Sequence, residues 1–421
     1  MNDYFNSTYS RENFNKIILD YFSKERKTLD TKCRDELSKI AFDYFIKTND
    51  GSYTLNSPNF NGEIETMHNS NGAITESVEK FVKPFKDSYI QNYSKEDENS
   101  FFYENEIKVL DICSGLGYNS SAIIDEFLKR NSLDSTLSID MVEISIETLA
   151  SGLIIPSPIE GHNIVKKAIE SKLIEEDFAK LKLEESEIPK NVNINIFCED
   201  ARKTVKSLAD NSYDAIFLDP YSPAMAPELC TVEFFKELKR VIKNNGIIAT
   251  YTLAAGVRFA FIEAGFYIGE GPVFGRKSGG TIASLDIKNI SKNIPIMDER
   301  TICLSDAGIP FRDPNLNLTT QEILENRINE RSNARHHTRI SSAVQTPIFF
   351  GEDISDDKLK RRVLRNFNKV NIPDLQSKEA YYIIEPQKNH YKEPNSKFNS
   401  KNRIIEMNKR LLSVIKGNFV K

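Results

Sequence analysis

From residue 107 onward the chain repeats one unit: a short apolar strand, a polar or glycine-bearing turn, then an amphipathic helix. The strands read "IKVLDIC", "LSIDMVEIS", "VNINIFCED", "YDAIFLDP" and "GIIATYT". The helices read "SAIIDEFLKR", "ARKTVKSLA", "TVEFFKELKRVI" and "GVRFAFIEAG", with the charged interval 160–190 as a further, long helix. "FYIGEGPVF" and "GGTIASLDI" close the series with two more strands. Strands that alternate with helices pair mostly in parallel and are covered on both faces. Such sheets hold ligands beyond the carboxyl ends of their strands.

Acids stand at those ends. Asp111 closes the first strand, Glu143 the second, Glu199-Asp200 the third and Asp219 the fourth. A single acid in such a place is ordinarily a turn or cap residue. Four in succession would face one crevice. In "VLDICSGLGYNS", Gly115 and Gly117 let the backbone pass close to a ligand, and the helix that follows offers its N–H groups to a carboxylate. No Gly-Lys-Ser/Thr follows, so this is not a P-loop. Glu143 suits the two hydroxyls of a ribose. A carboxylate at Asp200 suits an adenine amino group. "FLDPYSPAMAPELCT" then sets Pro220, Pro223 and Pro227 directly behind Asp219, in a chain with only 16 prolines. Prolines fix the backbone, so this stretch reads as a stiff loop that holds Asp219 in place.

This series resembles the class I S-adenosylmethionine-dependent methyltransferases, with Cys113 standing where the first of three alternate glycines is usual. A narrower resemblance runs through "FLDPYSPAMAPELCTVEFFKELKRVIKNNGIIATYTLAAGVRFAFIEAGFYIGEGPVFGRK". It is similar to the methyltransferase domain of the MnmC family, in the Asp219 loop, in Pro227, Glu228 and Thr231, in Thr250 and Thr252, in Val257 and Arg258, in Glu263, Gly265 and Phe266, and in Gly275, Arg276 and Lys277. "NGAITES" (71–77) resembles the family's glycine-alanine-glutamate segment. The similarity covers about residues 60–285. The chain has no flavin oxidase portion of the kind found in bifunctional members, so it resembles the stand-alone type.

The resemblance implies a Rossmann-like class I methyltransferase with a mostly parallel seven-stranded sheet. It implies S-adenosylmethionine as cofactor, bound by Asp111, Gly115, Gly117, Glu143 and Asp200. It also implies methyl transfer to the amine of 5-aminomethyluridine, thiolated or not, at a tRNA wobble position. A separate oxidase or upstream enzyme would supply that amine. Asp219 is the catalytic candidate to orient the amine and assist its deprotonation, and Tyr221 to pack on the uridine face. Arg258, Arg276 and Lys277 are candidates for RNA phosphate near the site. Arg327, Arg331, Arg335 and Arg339 recur every four residues and would line one helix face; Arg331 and Arg335 head that basic stripe as RNA contacts. His68, His336 and His337 read as ordinary surface or loop residues.

Composition limits the alternatives. Of 421 residues, 39% are hydrophobic and 28% charged, with a net charge of −5. Residues 321–421 hold 20 Lys and Arg against 12 Asp and Glu, so that quarter carries about +8. The expected division is a helical amino-terminal extension (1–59), the methyltransferase domain (60–290) and a basic carboxy-terminal extension (291–421) suited to RNA. No stretch reads as a signal peptide or a membrane span. Five scattered cysteines give no metal-ligand spacing, so no metal is expected and the chain reads as cytoplasmic. The rival readings are a polyamine aminopropyltransferase, a small-molecule N-methyltransferase and a catalytically silent RNA-binding relative.

Overall fold

The computed structural model describes residues 11–56, 65–93, 106–129, 135–275, 279–340, 350, 352–388 and 399–418. They form two compact units that interleave along the sequence. The first takes residues up to Tyr221 together with Val241–Tyr251 and Pro272–Gly279. The second takes Ser222–Arg240, Thr252–Gly271 and Gly280–Lys421. These boundaries differ from the linear three-part division expected at 59/60 and 290/291.

The first unit opens with α1 (Arg11–Thr28) and α2 (Lys32–Ala41) and a small antiparallel ladder, β1 (Ile46–Lys47) with β2 (Tyr53–Thr54). Helix α3 (Ala73–Ser77) runs through a π-helical turn (Val78–Val82) into α4 (Lys83–Tyr93). The alternating series follows: β3 (Glu106–Ile112), α5 (Tyr118–Lys129), β4 (Thr136–Val142), α6 (Ile146–Leu153), α7 (Glu160–Glu175), β5 (Val192–Phe197), α8 (Ala201–Ser207), β6 (Tyr213–Leu218) and β7 (Ile242–Thr250). The strands run parallel in the order β5-β4-β3-β6-β7. Every residue of β6 is buried, which is why "YDAIFL" is almost continuously apolar. The chain leaves β3 to one side for β4 and later returns to its other side as β6. That reversal makes the carboxyl end of β3 a switch point, where a crevice opens for a ligand.

The interval 160–190 is not the one long helix expected: α7 stops at Glu175, and Asp177 takes a left-handed backbone (φ 57°). Two buried acids then compete for the chain that follows. Glu25 accepts the N–H groups of Lys180 and Leu181, and Glu170 those of Leu183 and Glu184. Arg34 joins the two acids at 2.8 and 2.6 Å. These long-range partners replace the helical hydrogen bonds that local sequence would favour.

The second unit contains α9 (Val232–Val241), α10 (Ala255–Ala264), an antiparallel pair β8 (Tyr267–Glu270) and β9 (Thr281–Ser284), then α11 (Ile296–Leu304), α12 (Thr320–Ala334), α13 (Asp357–Asn368), α14 (Lys378–Ile384) and α15 (Ser400–Ile415). The strands of the expected mostly parallel seven-stranded Rossmann-like sheet are thus all present. The carboxy-terminal part is a packed helical assembly rather than a loose tail. Glu299 of α11 and Arg403 of α15 form a fully buried ion pair, and Gln387 donates to the same carboxylate at 2.9 Å. No helix among the described residues is long and apolar enough to cross a membrane.

Candidate functional site

The rim of the crevice is tied by backbone bonds that continue the sheet. Cys113 and Ser114 donate to Val142 O, Glu143 to Phe197 O, and Asp219 to Ile112 O. The ends of β3, β4 and β6 therefore present Asp111, Glu143 and Asp219 together. Between β3 and α5 the chain turns through three left-handed residues, Cys113 (φ 62°), Gly115 (φ 56°) and Gly117 (φ 86°). A Cβ on Gly117 would stand 2.6 Å from Val165, so this position has no room for a side chain. Cys113 adopts the same backbone without being glycine, at a steric cost of about 1–2 kcal/mol.

Each acid has a defined environment. Asp111 is buried; its Oδ2 accepts from the Ser120 N–H and hydroxyl, and burial pushes its pKa up to about 6. Glu143 accepts from Gly115 N at 3.1 Å and Ser145 N at 3.0 Å, so it locks the glycine loop to β4; burial raises its pKa. Ile144 beside it is 70% exposed, an apolar face at the rim. Asp200 lies three residues beyond β5. It caps α8 and pairs with Arg202 at 2.7 Å. Burial opposes its ionisation, yet Arg202 holds its pKa below the usual value. Asp200 is thus already engaged with the chain's own cation.

Asp219 is half-buried and accepts from Asn119 Nδ2 at 3.1 Å. Desolvation pushes its pKa up to about 8, and the negative charges of Glu76 and Asp111 add to the rise. Glu76 is buried and bonded to Lys80 at 2.5 Å, on the π-helical turn. Single π turns inside helices are frequent at functional sites. Tyr221 is half-buried, and burial raises its pKa well above the ordinary phenol value. Beyond it the loop closes on itself, with Met225 and Ala226 both donating to Ser222 O. Pro227 then opens a short 3-10 turn.

Among the buried polar atoms of this unit that lack partners are Asp111 Oδ1, Ser114 Oγ and Asn119 Oδ1, at or just after the glycine loop, and Arg11 Nη1. Unmet buried polar atoms are costly and rare, and they fit a polar ligand that would satisfy them. A cofactor with an amino group, a carboxylate and sugar hydroxyls meets that requirement. Arg11 had no signal in the sequence. It reaches from α1 to Thr148 Oγ1 at 2.5 Å, is 7% exposed, and feels the charges of Glu143 and Glu147. Asn119 and Lys80 were also missed, although Glu76 lies in the "NGAITES" segment singled out from the sequence. The i, i+4 spacing of Glu76 and Lys80 was the available clue.

The expected RNA contacts fare differently. Arg258 is fully buried; it pairs with Asp298 at 2.6 Å and donates to Thr281 and Gly280 O. All of its nitrogens are spent inside the fold, which removes it from phosphate binding. Arg276 and Lys277 lie outside the described residues. The stripe at 327–339 does not form as read. α12 ends at Ala334, and Arg335 already has extended backbone. Arg331 and Arg335 both turn to the buried Asp306, at 3.4 and 2.8 Å. Arg327 donates to Ala307 O and Ile309 O, and Arg339 is buried. A buried carboxylate has drawn in the cations that periodicity alone would leave on a surface. His68 packs edge-on against Tyr118, and burial lowers its pKa to about 4.

Comparison with known proteins agrees with this geometry. A family model described as S-adenosyl-L-methionine-dependent methyltransferase matches residues 162–286. An uncharacterized protein of Methanocaldococcus jannaschii is 30% identical over 365 residues, which make up 86% of this chain and 91% of that one. The tRNA 5-methylaminomethyl-2-thiouridine biosynthesis bifunctional protein MnmC of Ralstonia nicotianae is 33% identical over 122 residues, 28% of this chain and 18% of that protein's length. The crystal structure of MNMC2 from Aquifex aeolicus matches with a TM-score of 0.53 at 25% identity, over 76% of this chain and 99% of that one. With acids at the ends of parallel strands, a left-handed glycine loop and unmet polar atoms beside it, the chain belongs to the S-adenosyl-L-methionine-dependent methyltransferases with an MnmC-like methyltransferase domain, and S-adenosylmethionine is its cofactor.

Proposed function

We propose that the chain methylates the amine of 5-aminomethyluridine, or of its 2-thio form, at the wobble position of tRNA. The observation that carries this reading is Asp219, a half-buried carboxyl with a pKa pushed up to about 8. S-adenosylmethionine, when bound, supplies a methyl group activated by a sulfonium. The chain's own task is to deliver a neutral amine in line with it.

An alkylammonium loses its proton near pH 10, judged by lysine at about 10.4. An ordinary aspartate at about 3.9 is a poor acceptor for that proton, by about 6 units. Asp219 narrows the gap to about 2, so it accepts the proton at modest cost and holds it while the amine reacts. The same carboxyl orients the amine, with Asn119 fixing the carboxyl from the other side. Tyr221 stays neutral and offers a ring on which the uracil base stacks, worth about 1–3 kcal/mol. The base would enter the crevice exposed or flipped out of its stack. Glu143 would receive the ribose hydroxyls of the cofactor, Ile144 would face its adenine, and Asp111 and Arg11 would satisfy its polar end. Acting on tRNA, the protein would work in the cytoplasm, downstream of an enzyme that installs the aminomethyl group.

Asp219→Asn tests the assigned role. It is expected to lower kcat by about 10²–10⁴-fold while S-adenosylmethionine binding, read by calorimetry, stays within about twofold. Unchanged kcat with the fold intact would remove Asp219 from the mechanism.

A further inference from the structure

Arg258, Arg327, Arg331, Arg335 and Arg339 are engaged by the fold's own acceptors or buried, yet another helix in the second unit carries the charge they were meant to supply. In α13, Lys358, Arg361, Arg362, Arg365 and Lys369, the last just past its end, are spaced i, i+3, i+4, i+7 and i+11. At 100° per residue they fall within about 100° of one another around the helix. All five are exposed. Among the described residues none has an acidic partner within salt-bridge distance. Arg361 alone is tied back, through its Nε to Asp357 O at 3.2 Å.

The opposite face is equally well defined. Val363 and Phe367 are fully buried, and Phe367 packs its ring against Phe350 at 4.6 Å between centroids. Asp356 caps the helix through Leu359 N at 2.7 Å. The helix is therefore pinned by its apolar side and cannot offer that side to a lipid. Like charges one turn apart repel each other, and among the described residues no acid pairs with these five within salt-bridge distance. A rigid cationic ridge about 16 Å long matches a run of phosphates.

We propose that the outer face of α13 is a docking surface for the phosphate backbone of RNA. This rests on the reading of the substrate as tRNA. It contributes affinity rather than sequence choice, since a ridge of point charges reads backbone and not base edges.

The test uses the full chain with Arg361→Gln, Arg362→Gln and Arg365→Gln combined, and a tRNA transcript in filter binding across a salt series. The variant is expected to bind about 10–100-fold more weakly near 0.1 M salt. Its slope of log affinity against log salt should fall by about 2–3, one increment per lost phosphate contact. S-adenosylmethionine affinity and thermal unfolding should match the parent. Should the triple variant fail to fold, Lys358→Gln with Lys369→Gln is expected to lower the slope by about 1–2. Parental affinity and slope in a folded variant would overturn the proposal, as would a parent that binds an acidic protein or anionic vesicles but no tRNA. A parent that binds tRNA through α13 without methylating it would leave the helix assignment standing and remove only the catalytic reading. A parent that methylates tRNA, with an unchanged KM in the variant, would do the reverse.

Discussion

At the scale of single residues, Asp219 carries the sharpest predictions. If it must be ionised to take the proton, kcat/KM rises with pH through a limb with its midpoint near 8 for the free enzyme. Asp219→Asn should abolish that limb. The same raised pKa bears on stability. Between about 3.9, the unfolded value, and 8, the folded chain keeps a proton that the unfolded chain releases. Stability is therefore lost as pH rises through that window. Asp219→Asn should raise Tm at pH 8 and leave it near the parent's at pH 4, as scanning calorimetry at the two pH values would report. Cys113 is a second case. Replacing a left-handed residue by glycine removes about 1–2 kcal/mol of strain and adds about 0.5–1 kcal/mol of unfolded-state entropy. Cys113→Gly should therefore be more stable by about 0.5–1 kcal/mol in urea unfolding. The acids at strand ends were legible because a parallel sheet gives a strand end one meaning. Arg11 was not, since its partners Thr148 and Glu143 lie more than 130 residues away in sequence.

At the scale of elements, the strands and most helices followed from periodicity, and the failures share a cause. Residues 180–184 do not continue the helix because buried Glu25 and Glu170 take the N–H groups of Lys180, Leu181, Leu183 and Glu184. Arg335 and Arg339 leave theirs where buried Asp306 and the turn after Ala334 take over. Local propensity is a weak prior against buried charge that must be satisfied. Arg34→Ala tests this. It leaves buried Glu25 without its cation and Glu170 with only Lys167 at 3.4 Å, and should cost about 3–5 kcal/mol. The segment 178–184 should become the first site of limited proteolysis. Unchanged stability and cleavage would show that the three-residue network does not hold that segment.

At the scale of the whole molecule, the sequence showed that the carboxy-terminal quarter is basic but not which charges are free. Counting charge cannot separate a cation spent on a buried acid from one left on a surface. Arg331 and Arg335 are the first kind, and Arg362 and Arg365 the second. Nor could a linear reading find the interleaved units, because their boundaries fall where the chain crosses between two packed bodies rather than at linkers. The most direct measurement of the reaction supplies labelled S-adenosylmethionine with one tRNA carrying 5-aminomethyluridine at the wobble position and the same tRNA carrying uridine there, followed by nucleoside analysis. The expected result is label in 5-methylaminomethyluridine from the first tRNA and none from the second. Label in neither, from a protein that binds S-adenosylmethionine, would contradict the assigned substrate.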